Sequence, residues 1–170
     1  MDAVALEEDS DNRQLLRLRR FTMAAATSAM VIVLLWVAYG FGGLEWTAVL
    51  RGTALILFWV AFFYAALRTG LNLRLRDPSL TMPQLATSIV TMAYIMYYAD
   101  RSRGALLVVY LVAFLFGVFR LRTRQLLLLA LTAFVAYGAM VLSLARFKPG
   151  VVDLPEEILE LIVLAFTLPW

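Results

Sequence analysis

Six apolar runs, each closed off by arginine, glycine or proline, set the limits on what this chain can become. They cover Phe21 to Tyr39, about Val49 to Leu67, Leu80 or Gln84 to Tyr98, Ala105 to Phe119, Leu126 to Ala145, and the residues from Pro155 onward. A helix needs roughly 20 such residues to cross about 30 Å of hydrocarbon. Lipid offers the backbone no hydrogen-bond partners, so only helices and closed barrels can span it. The runs are continuously apolar rather than alternating, which leaves helices. Composition agrees: 63% of residues are hydrophobic and 16% charged, against about 45–50% and about 25% in soluble domains. The sequence therefore predicts an all-α, polytopic membrane helix bundle of about six transmembrane helices. Residues 1–20 read as a basic cytoplasmic segment and residues 21–170 as a transmembrane sensor or anchor domain.

The chain has neither cysteine nor histidine. Thiolate chemistry and the commonest metal ligand and general base are thus missing. No carboxylate stands deep in an apolar run. A membrane-embedded enzyme would have few groups to work with, and the sequence assigns no catalytic residue and no metal ligand. The outer loops are too short to form a ligand-binding domain, and "GFGGLE" lacks the Gly-Lys-Ser/Thr ending of a phosphate-binding loop.

Charge placement gives an orientation. With the N-terminus in the cytoplasm, the inner segments hold ten of the 15 basic residues, as the positive-inside rule requires. Arg17, Arg19, Arg20, Arg74, Arg76, Arg120, Arg122 and Arg124 are the expected cytoplasmic-side anchors. Trp36, Tyr39 and Trp46 would gather at one outer end and Tyr97 and Tyr98 at another. The run "RQLLRLRR" reads as a lipid- or partner-binding helix or, in the simpler reading adopted here, as a topology anchor. A cleaved signal peptide is rejected, because the following apolar run exceeds the roughly 7–15-residue signal core.

The third run, "QLATSIVTMAYIMYY", carries a polar stripe. At 100° per residue, Gln84, Thr87, Ser88, Thr91, Tyr94 and Tyr98 share about a third of the circumference. Lipid cannot satisfy those groups, so the stripe is expected to face the bundle. It reads either as a pocket for a small hydrophobic ligand or as a packing face whose hydroxyls bond the backbone. Pro83 makes this the one run that looks broken.

The last run starts with a capping Asp153 and an early Pro155. Glu156, Glu157 and Glu160 follow where the helix dipole favours them. Of these, Glu160 is the candidate for partial burial, with solvent, Arg146 or Lys148 as its expected partner. The apolar stretch from Leu161 to Trp170 is too short to finish a crossing, so the helix is expected to continue past Trp170. Pro169 would act as a hinge or be an ordinary membrane proline.

Three stretches carry a resemblance: "NLRLRDPSLTMPQL" (Asn72 to Leu85), "LFGVFRLRTRQLLLLAL" (Leu115 to Leu131) and the closing "LPW". They resemble the six-helix membrane region of bacterial inner-membrane GGDEF-domain diguanylate cyclases, from about Arg17 to Trp170. The resemblance implies that the last helix leads into a cytoplasmic domain. That domain would condense two GTP molecules into cyclic di-GMP with Mg²⁺, as a homodimer. No GGDEF motif occurs in these 170 residues, so the chain itself carries no cyclase site or cofactor. The expected partners are the bilayer, a second copy through the output domain, and a small hydrophobic ligand, with no nucleic acid. The competing reading is a stand-alone membrane transporter or binding protein.

Overall fold

A computed structural model of the chain describes residues 3–74, 80–99, 103–104, 106–108, 121–150 and 153–167. It contains α1 (Ala3–Gly40), α2 (Trp46–Arg68), a 3-10 turn (Leu71–Arg74), α3 (Thr81–Met96), α4 (Thr123–Phe147) and α5 (Leu154–Thr167). Residues 103–104 and 106–108 are also helical. There is no strand among the described residues.

Among the described residues, three helical stretches are long and apolar enough to cross a membrane: Phe21–Gly40 within α1, Trp46–Arg68 and Thr123–Phe147. This corrects the expectation of six. At about 1.5 Å per residue, the 16 residues of α3 reach about 24 Å and the 14 of α5 about 21 Å, short of a 30 Å core. Most of the fourth run, Ala105 to Phe119, lies outside the described residues, as do Arg76, Arg120 and Pro169.

No break separates the basic N-terminal segment from the first span: α1 runs through both. What ends α1 is glycine. Gly42 takes φ +72°, its N–H reaches the Tyr39 carbonyl, and the Gly43 N–H reaches the Ala38 carbonyl, both at 2.9 Å. This double closure with a left-handed residue is the Schellman helix ending. It explains the glycines of "GFGG" without a ligand. Trp36, Tyr39 and Trp46 then pack across the turn with ring centroids 5.4–6.3 Å apart.

The helices pack in chain order: α1 on α2, α2 on α3, α3 on α4, and α4 on α5. A main core joins Leu35, Val49, Ile89, Met96, Leu129, Leu144 and Leu164. Gly52 lets α1, α2 and α3 approach. A Cβ there would stand 3.0 Å from Ile95 Cγ1 and 3.4 Å from Leu35 Cδ1. A smaller cluster gathers Phe21, Phe63, Ala66, Leu67 and Leu80. Leu80 precedes α3 with φ +55°, a conformation that costs a side-chain-bearing residue about 1–2 kcal/mol. Its side chain is buried, and that burial offsets the strain. Pro83 falls in the first turn of α3, where N–H groups have no intrahelical acceptor. The helix is therefore unbroken, contrary to the expectation raised by the proline.

Candidate functional site

The stripe on α3 borders the buried face more than it forms it. Ile89, Met92, Ala93, Ile95 and Met96 are buried, and of the six stripe residues only Thr91 joins them. Thr87 Oγ1 lies 2.9 Å from the Pro83 carbonyl and 3.0 Å from that of Gln84, and Ser88 Oγ donates to Gln84 at 2.8 Å. Those hydroxyls are satisfied by their own helix, as transmembrane serines and threonines commonly are. Beside them a groove of about 410 Å³ opens between α2 and α3. It is lined by Leu55, Trp59, Ala86, Thr87, Val90, Thr91 and Tyr94. Thr87, Thr91 and Tyr94 thus meet in one groove, while Gln84, Ser88 and Tyr98 are not among its lining residues. Tyr98 packs edge-on to Tyr94 and Tyr97, with centroids 5.3 Å and 5.0 Å away.

A second polar site joins α5 to the rest of the bundle, and the sequence reading missed it. Arg103 Nη1 donates to Glu157 Oε1 in a close ion pair, and its Nε reaches the Met96 carbonyl at 3.4 Å. The Tyr137 hydroxyl lies 2.7 Å from Glu157 Oε2 and also contacts Glu160 Oε2. It has one proton to donate, so the two carboxylates compete for it. Arg103 is 7% exposed, Glu157 4% and Tyr137 0%, so ion pair and phenol are all withdrawn from solvent. Among the described residues, Arg103 Nη2 has no partner. Gly104 adjoins the cluster: a Cβ there would sit 3.8 Å from Glu160 Oε1.

The depth of this cluster corrects two expectations. Tyr137 lies fourteen residues from Thr123 and ten from Phe147, or about 21 Å and about 15 Å from the two ends of α4. The buried carboxylate is therefore Glu157, in the first turn of α5, with Glu160 only partly buried. Glu160 pairs with Tyr137 rather than with Arg146 or Lys148. Lys148 instead places its ammonium 5.0 Å from the Tyr97 ring centre and 5.3 Å from that of Tyr98, a cation–π arrangement.

Among the expected cytoplasmic-side anchors, Arg17, Arg19 and Arg20 lie on α1 and Arg74 ends the 3-10 turn. Arg122 and Arg124 are exposed at the start of α4. The Arg122 N–H is capped by Gln125 Oε1 at 3.0 Å.

The chain matches no family model, no curated protein and no solved structure in comparisons with known proteins. The geometry of the two polar sites therefore carries the functional reading.

Proposed function

We propose that this chain is the membrane sensor or anchor module of a bacterial diguanylate cyclase. Its last helix would pass the state of the bundle to a cytoplasmic output domain. The observation that carries the reading is the buried Arg103–Glu157–Tyr137–Glu160 cluster. It ties α5 to α4 and to the helical residues at Arg103, through polar contacts that have discrete made and broken states. A helix held this way can shift between two arrangements, and any ligand that prefers one shifts the population. The resemblance of Asn72 to Leu85 and Leu115 to Leu131 to cyclase membrane regions supplies the output. GTP and Mg²⁺ would be handled by that domain. The described residues gather no group of three or more His, Cys, Asp or Glu fit for a metal.

In this reading the bundle lies in the bacterial inner membrane, with its N-terminus in the cytoplasm and homodimerisation through the output domain. Arg122 and Arg124 support that orientation. Cations at a helix N-terminus oppose the dipole, so an anchoring role at the cytoplasmic interface accounts for them better than helix stability does.

Intact mass of the native protein, followed by a cyclic di-GMP assay with GTP and Mg²⁺, tests the proposal. A mass well above 19.1 kDa together with cyclic di-GMP synthesis is expected. A mass of 19.1 kDa, or a longer protein inert towards GTP, refutes it.

The same cluster also favours a stand-alone transporter. Two carboxylates meeting one phenol, with a guanidinium paired to one of them, is the kind of constellation ion pathways carry. Proton or cation flux into vesicles that Glu160→Gln abolishes would select that alternative.

A further inference from the structure

The groove between α2 and α3 has one polar end. On α2, Arg51, Leu55 and Trp59 follow at four-residue steps and so form one stripe. On α3, Thr87, Thr91 and Tyr94 form the facing stripe. The two helices are antiparallel neighbours, which brings Arg51, one turn before Leu55, to the same end of the groove as Tyr94. From there the groove runs past Leu55 and Val90 to Trp59 and Ala86, about 12 Å along α2 from Arg51. Thr87 contributes little polarity, because its hydroxyl is turned back onto the helix. The result is a slot that is apolar along its length and cationic at one mouth. Arg51 is exposed, and ion pairing among the described residues is shown for Arg103 alone.

We infer that this groove is a binding site for an anionic phospholipid of the surrounding bilayer. The headgroup phosphate accepts hydrogen bonds from Arg51 and the Tyr94 hydroxyl, and one acyl chain lies along Leu55, Val90 and Trp59. Charge complementarity selects the occupant: a guanidinium fork fits phosphate oxygens, and a zwitterionic lipid gains less from an isolated cation. The open side of the groove suits a molecule that enters laterally from the membrane. The inference stands apart from the signalling proposal, since it concerns lipid preference alone.

Trp59 is the reporter. A variant with Trp36, Trp46 and Trp170 each replaced by phenylalanine is placed in phosphatidylcholine vesicles. These contain a graded fraction of either brominated phosphatidylglycerol or brominated phosphatidylcholine. One interfacial cation is worth about fivefold in anionic-lipid preference. Trp59 should therefore be quenched at about a fivefold lower fraction of the brominated phosphatidylglycerol. Arg51→Gln should merge the two curves, Arg51→Lys should keep them apart, and Val90→Phe should weaken quenching by both lipids. Coincident curves in the parent protein would mean annular lipid only and would overturn the inference. So would a phosphatidylglycerol preference that survives Arg51→Gln.

Discussion

Replacing Glu157 by leucine strands the Arg103 guanidinium. Arg103 is 7% exposed and Glu157 is its carboxylate partner. Breaking a buried pair from one side costs about 3–5 kcal/mol, because the remaining charge has no counterpart. A cost of that size lowers the folded-to-unfolded ratio by about 10²–10³·⁵, at about 1.4 kcal/mol per factor of ten. Arg103→Met alone should cost less, since Glu157 keeps the Tyr137 hydroxyl. The double variant removes both charges and should recover most of the loss, leaving the protein within about 2 kcal/mol of the parent. The assay is equilibrium unfolding of the purified protein in mixed micelles with increasing SDS, run as a double-mutant cycle. A coupling of at least about 2 kcal/mol is expected. A coupling under about 0.5 kcal/mol, with Glu157→Leu itself well tolerated, would mean that the pair is not buried together. The Arg103–Glu157 pair would then not be the clamp that holds α5 to the bundle.

Three further outcomes follow from the packing. Tyr137→Phe removes the hydroxyl that faces both carboxylates, so the same unfolding assay should show a loss of about 1–3 kcal/mol; no loss would remove Tyr137 from the cluster. Gly52→Leu forces a branched side chain against Ile95 and Leu35; overpacking of this kind costs about 1–3 kcal/mol, and a neutral result would show that α1, α2 and α3 do not converge there. Ser88→Ala removes a hydroxyl bonded only to its own helix and exposed, so stability should change by less than about 0.5 kcal/mol, whereas a large effect would point to a partner across the bundle.

Helix identity and rough limits were legible because hydropathy is a local property. The spans Phe21–Gly40, Trp46–Arg68 and Thr123–Phe147 each fall within a few residues of the apolar runs. The start of α5 was legible too: Asp153 precedes it, and the Glu157 N–H bonds the Asp153 carbonyl at 3.0 Å. The clamp was not legible, because Arg103 and Glu157 are 54 residues apart, and no local pattern shows which distant side chains meet. Glu157 read as a first-turn glutamate suited to the dipole. One signal was available. Glu157, Glu160 and Leu164 fall at helical spacing, and Leu164 is fully buried. That face is core, and two of its positions are acidic. The polar stripe on α3 was legible as a stripe, but its direction was not, since the buried face of α3 is set by its packing against α4.

The 54-residue separation of Arg103 and Glu157 also bears on biosynthesis. At about 5–20 residues per second, a ribosome takes roughly 3–11 s to travel from one to the other. For that interval a guanidinium destined for the bundle interior is without its Glu157 partner. Arg103 can therefore reach its final pairing only when α5 is delivered. The arrival of α5 is thus also what licenses the arginine's final position.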